Sequence, residues 1–272
     1  MGFIDYKWQY LCRFGKCQKG ILFFIFFLRV FTVFADHIVG GNLEMIALDK
    51  TPGRYKIVAK MYYDRLKIPS SDANIPLTIY RKSDKAFMFI TAIPRIDSKR
   101  QLLKFTNATC ADQNKLEIVF DYFEREITLD PNQYNDPGGY VLVWNSCCRS
   151  QAITNIKLPD RRGIPFYTEF SPLIKNGKPF VDSTPEFDEI DGEYVCVGDD
   201  FTYSFDATDR DGDELRYSLV TPYSFYDKAV ASGSNIPTEF IEWETGYSAT
   251  NAIPGNPALR PNMASCRSRP AR

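Results

Sequence analysis

Strict alternation on both sides of one acidic loop constrains the fold of this chain more than any other feature. Residues Phe201 to Leu219 read FTYSFDATDRDGDELRYSL. Phe201, Tyr203 and Phe205 are apolar on one arm, Leu215, Tyr217 and Leu219 on the other, with polar residues between them. Runs of period two are half-buried strands. Between the arms lie Asp206, Asp209, Asp211 and Asp213, with Gly212 letting the backbone bend. Carboxylates converging at a sheet end suit a hard, oxygen-seeking cation such as calcium. The same residues also make a solvated turn whose side chains cap their own backbone. Both readings stand on the residues alone.

Length and composition favour strands throughout. The 272 residues are enough for one large or two ordinary domains. An aromatic content of 15% with 16 Gly and 17 Pro points to many short strands and turns rather than long helices. The net charge of -1 sets the chain apart from nucleic-acid binders, which concentrate Lys and Arg to displace counterions from phosphates. His37 is the one histidine, so any catalysis or metal binding through imidazole would have to pass through it.

Residues 1–35 read as an export signal. Lys7, Arg13, Lys16 and Lys19 form a basic leader, Ile21 to Phe34 an apolar run, and Val33-Phe34-Ala35 a cleavage site after Ala35. The run is shorter than the ~20 apolar residues a membrane-spanning helix requires, and Arg29 interrupts it. Export changes the reading of the cysteines, because disulfides persist outside the cytoplasm. Cys12 and Cys17 leave with the leader, and the bonding candidates are Cys110, Cys147, Cys148 and Cys196. Adjacent Cys147 and Cys148 point to opposite faces if they lie on a strand. Cys110 and Cys196 are then open as partners, and a bond between the two neighbours is the alternative.

From residue 36 to residue 172 the chain reads as strands and turns. Strands are expected over Tyr55 to Tyr63, Ile75 to Tyr80, Phe87 to Ile93 and Leu116 to Tyr122, the last with Glu117 and Asp121 facing outward. The apolar run Tyr140 to Trp144 belongs in a central strand, and Thr51-Pro52-Gly53 and Asp136-Pro137-Gly138-Gly139 are turns. Residues 173–185 form a linker or a small hairpin around Asn176-Gly177. Residues 186–259 give a second, smaller set that includes Tyr194 to Val197, Phe201 to Asp206, Glu214 to Val220 and Phe240 to Glu244. The fold expected is all-β: two immunoglobulin-like or cadherin-like antiparallel sandwich modules in tandem after the signal helix, the second incomplete.

Four stretches carry a resemblance: DHIVGG after the leader, GGYVLVWNSCCRSQAITNI at 138–156, STPEFDEIDGEYVCVGDDFTYSFDATDRDGDELRYSL at 183–219, and GYSATNAIPGNPAL at 246–259. The chain resembles the N-terminal part of large Bacteroidetes surface proteins, described as gliding-motility-associated or PKD-domain-containing. The resemblance implies an exported β-rich module followed by a cadherin-like or PKD-like sandwich, and an activity of display, adhesion or structure. It also implies calcium at a sandwich end, held by Asp206, Asp209, Asp211 and Asp213, with Asp182 and Glu186 as further ligand candidates at the junction. In that family a C-terminal sorting domain for type IX secretion commonly follows. The similarity stops near Leu259, and residues 260–272 have the composition of a tail that is not a packed strand, as expected of a truncated or frame-shifted product.

No GxSxG, HExxH, CxxC pair or phosphate-cradling glycine loop is present to anchor a reaction. The expected function is therefore a non-enzymatic adhesion or structural module at the cell surface, the outer membrane or outside the cell. Its expected partners are a cell-surface protein assembly or an extracellular polysaccharide. A secreted carbohydrate-binding module, or an accessory domain of a glycoside hydrolase, is the alternative. For that alternative Trp144, Trp243 and the tyrosines are stacking candidates, although Trp144, inside its apolar run, reads better as core.

Overall fold

The computed structural model describes residues 38–66, 72–106, 117–190, 192–194, 201–226, 235–253, 258–259 and 265–268. The leader expected over residues 1–35, Cys110 and Cys196 lie outside the described residues.

The strands in chain order are β1 (Ile38–Ala47), β2 (Arg54–Asp64), β3 (Asn74–Arg81), β4 (Phe87–Pro94), β5 (Gln101–Leu102), β6 (Phe105–Thr106), β7 (Ile118–Thr128), β8 (Tyr140–Ser146), β9 (Ile164–Phe170), β10 (Ile174–Lys175), β11 (Lys178–Pro179), β12 (Glu186–Phe187), β13 (Gly192–Glu193), β14 (Phe201–Ser204), β15 (Ala207–Thr208), β16 (Tyr223–Ser224), β17 (Glu239–Phe240), β18 (Ala258–Leu259) and β19 (Ser265–Ser268). Helix among the described residues is confined to short 3₁₀ turns. The fold class is all-β, with a sandwich of two four-stranded antiparallel sheets, β1-β2-β7-β5 and β4-β3-β8-β9.

The sandwich core follows from the alternation. Tyr55, Ile57, Ala59, Met61 and Tyr63 of β2 all point inward and meet Ile75, Leu77 and Ile79 of β3 and Tyr140, Leu142 and Trp144 of β8. Interleaving apolar faces in this way removes them from water at roughly 25 cal/mol per Å². β8 is buried along its whole length and lies between β3 and β9, the central place its apolar run requires. At the turn into β2, Gly53 has φ +90°, and a Cβ there would lie 2.1 Å from the Leu129 carbonyl oxygen. Only glycine fits that approach.

β7 corrects one expectation. Asp121 does not face outward: it is fully buried opposite Met61, with the guanidinium of Arg100 at 3.3 Å and that of Arg95 at 3.8 Å. The core-facing residues of β7 are Phe123 and Ile127, while Ile118 and Phe120 pack with Tyr62 on the outer face of the same sheet. That face is buried too, under Leu103 and Phe105. A strand buried on both faces loses the one-sided alternation from which its phase was read.

The chain beyond β9 packs back on the sandwich. Residues 173–185 contain the hairpin β10–β11, turned by Asn176 (φ 53°) and Gly177 (φ 71°), both left-handed as a tight two-residue hairpin needs. The chain then runs along the outer edge of β1. Ser183 Oγ accepts from Ala47 N–H at 3.2 Å, and Phe187 N–H donates to Glu44 Oε1 at 3.0 Å. Where a second and incomplete sandwich is expected over 186–259, the described residues form short ladders: β12 with β15, β16 with β17, and β14-β19-β18, the last drawing β19 from beyond that range. Residues 235–237 cross the outer face of the other sheet, where Ile236 packs on Tyr80, Val141 and Val143, and Asn145 Nδ2 donates to the Asn235 carbonyl at 3.1 Å. The described residues belong to one compact unit.

Two further expectations are corrected. Glu214 to Val220 keeps the expected alternation of half-buried and exposed residues but joins no ladder among the described residues. Conversely, the tail holds a strand: β19 pairs with both β14 and β18. Ladder bonds come from the backbone and do not require an apolar composition.

Candidate functional site

The acidic loop sits where residues 171–185 leave the sandwich, over an open groove of about 890 Å³. Glu169, Ser171, Asp182, Asp209, Asp213 and Glu214 face it, with Lys82 and Lys175 at its rim. Asp182 is placed there by its neighbours: Ser171 Oγ donates to its carboxylate at 2.7 Å. Burial, together with the charges of Asp213, Asp211 and Asp209, pushes the Asp182 carboxyl above the ordinary carboxylate range. Beneath it, burial pushes the Tyr55 phenol up to about 12.

The four aspartates singled out from the sequence are put to different uses. Asp209 Oδ1 accepts from the N–H groups of Asp211 (2.9 Å) and Asp213 (3.0 Å), closing a turn around Gly212 at φ +86°. Asp211 turns toward the sandwich, where its Oδ2 accepts from Ser183 N–H at 2.6 Å. Asp206 lines a separate slot with Gly41, Asn42 and Phe187, and its carbonyl accepts from Asp188 N–H at 3.1 Å. Glu186 is held by Arg210 through two bonds, at 2.9 and 3.2 Å.

Calcium takes six to eight oxygens around one point. Among the described residues no group of three or more His, Cys, Asp or Glu side chains is arranged to hold a metal ion. The donors have the right chemistry for calcium, but this arrangement of them does not make a cage.

Cys147 and Cys148 are bonded to each other, the alternative left open by the sequence, and Cys148 is buried. The pair lies at the end of β8, beside two arginines. Arg162, fully buried, donates to Glu242 Oε1 at 2.5 Å and lies 3.5 Å over the Tyr226 ring. Arg149 donates to the Tyr223 carbonyl at 3.0 Å, and burial lowers its guanidinium to about 10. Neither arginine's role is visible in the sequence, since their partners lie about 75 to 80 residues away (74 and 80). Of the stacking candidates, Trp144 is core, stacked on Phe166 at 5.4 Å. Trp243 is half-buried and donates to Thr221 Oγ1 at 3.2 Å.

A scan against protein-family models, a search of curated proteins and a search of solved structures each returned no match to this chain. Among the described residues no helix is long and apolar enough to cross a membrane.

Proposed function

We propose that this chain is an exported, non-enzymatic module of a cell-surface assembly, acting in adhesion or as a spacer, with a surface protein or an extracellular polysaccharide as its partner. The leader expected over residues 1–35 and the gliding-motility-like motifs support the location, and the covering of the sandwich supports the function. The β1 edge is lined by residues 183–187, and the outer faces of the two sheets are packed by Leu103 and Phe105 on one and by Ile236 on the other. A β-body covered in this way is suited to a crowded exterior, because exposed sheet edges pair with other chains. The test is attachment of the purified chain to intact cells of its source. Saturable attachment supports the reading, and none at any concentration contradicts it. Turnover of a polysaccharide would overturn the non-enzymatic assignment.

Calcium at Asp206, Asp209, Asp211 and Asp213 is a proposal of the sequence pattern. Asp209 Oδ1 and Asp211 Oδ2 already accept N–H groups, so ligation there would use their other carboxylate oxygens. Calorimetry with calcium on the wild type, Asp211→Ala and Asp213→Ala decides it: a heat lost in both variants places the ion at the loop, and equal heats exclude it.

A further inference from the structure

The outer face of the sheet β4-β3-β8-β9 carries an aromatic group that the later chain leaves partly open. Tyr167 of β9 is 40% exposed and meets Tyr223 edge-on, with ring centroids 5.3 Å apart. The Tyr223 ring stacks on Phe240 at 4.6 Å, 18° from parallel, and Phe240 is itself 50% exposed. The β16–β17 ladder fixes that stack, because Tyr223 and Phe240 are directly paired in it. Tyr167 and Tyr223 wall a slot of about 110 Å³ together with Val141, Ile236 and Pro237. Lys82, Lys85 and Glu169 stand around the same slot, and Lys82 and Glu169 form an ion pair.

Such a slot offers flat aromatic surface with donors and an acceptor beside it, and its rings are held before any ligand arrives. A pyranose ring presents the complement: an apolar C–H face and, around its edge, hydroxyls that both donate and accept. A polyanion fits worse, because Glu169 offsets one of the two lysines and would repel it. A proline-rich peptide also docks on aromatic walls. Its backbone supplies carbonyl acceptors but few N–H donors, so it would answer the lysines and add no bond to Glu169 beyond the one Lys82 already gives.

We propose that this slot is a sugar-stacking subsite for a neutral extracellular polysaccharide, with Tyr167 as the platform and Lys82, Lys85 and Glu169 bonding to hydroxyls. The proposal rests on the surface-adhesion reading and names the chemistry of its partner. Burial, Tyr223 and Glu169 raise the Tyr167 phenol above its ordinary value of 10.0, at which the hydroxyl is already protonated at neutral pH.

The test is affinity electrophoresis of the full chain through gels containing hydroxyethyl cellulose, laminarin or galactomannan, with alginate and poly-L-proline as comparison ligands. Retardation by at least one neutral polysaccharide is expected. Tyr167→Ala should weaken it at least about tenfold, while Tyr167→Phe, which keeps the ring, stays within about twofold. Glu169→Gln should weaken binding by less than Tyr167→Ala, with an unchanged melting temperature for each variant showing that the fold persists. No retardation by any of the three, equal retardation of Tyr167→Ala, or binding to alginate or poly-L-proline alone overturns the proposal. Attachment to intact cells that survives Tyr167→Ala would remove this slot and leave the adhesion reading standing; loss of all cell attachment by the wild type would remove that reading as well.

Discussion

Thr184 and Met45, 139 residues apart, hold each other by two hydrogen bonds: Met45 N–H donates to Thr184 Oγ1 at 2.8 Å, and Thr184 N–H donates to the Met45 carbonyl at 2.9 Å. Both residues are buried, so the bonds satisfy backbone groups that the edge of β1 would otherwise leave without partners. They tie the chain after the β10–β11 hairpin to the first strand of the sandwich.

Replacing Thr184 by Val keeps the volume and removes the acceptor. Leaving Met45 N–H buried and unpaired should cost about 1–3 kcal/mol, and Thr184→Ser should recover most of it. Chemical denaturation of the two variants measures the difference.

Asp182 gives a pH signature. Its carboxyl is raised by burial and by Asp213, Asp211 and Asp209. The folded chain therefore holds that proton more tightly than the unfolded one. The stability it contributes is full below the ordinary carboxylate value of 3.8 and is lost as pH rises through the higher folded value. Asp182→Asn retains an acceptor for Ser171 and removes the repulsion. Its melting temperature should exceed that of the wild type at pH 7 by about 1–2 °C, and the gap should close near pH 3.

Arg162 and Glu242 should respond unequally to substitution. Arg162 is buried and Glu242 largely exposed, its carboxyl lowered mainly by the bond from Arg162. Arg162→Met leaves a carboxylate that water can solvate and should change stability by no more than about 1 kcal/mol. Glu242→Gln leaves a buried guanidinium with a weaker partner and should lower the melting temperature clearly at pH 7. A lowered carboxyl contributes stability above its ordinary value of 4.5, and loses it as pH falls through the folded value. The deficit of Glu242→Gln should therefore shrink in acid. Thermal scans at the two pH values check both outcomes.

What could be read from the sequence is what depends on local pattern. β2, β3, β4 and β8 follow from alternation or an apolar run, and the Asn176-Gly177 hairpin from its turn residues. β1 and β9 escape such a reading: Gly40 and Gly41 interrupt the first, and Pro165 stands inside the second. β9 tolerates its proline because it is an edge strand. In the site, the aspartates of the loop are visible as residue types, but their partners are not. That Asp211 caps Ser183 and that Asp206 turns to a different slot depend on how distant segments pack. The aromatic slot was missed for the same reason, since Tyr167 and Tyr223 meet across more than fifty residues of chain (56 positions by number).

The most direct measurement for the account is made on the protein recovered from the cells that produce it: its location, its first residue and the state of Cys147 and Cys148, all read from one fractionated sample by mass spectrometry. The account predicts a chain outside the cytoplasm that begins at Asp36, with both cysteines in one peptide at the mass of their mutual disulfide. An unprocessed chain in the cytoplasm, with both thiols free to alkylation, would contradict it.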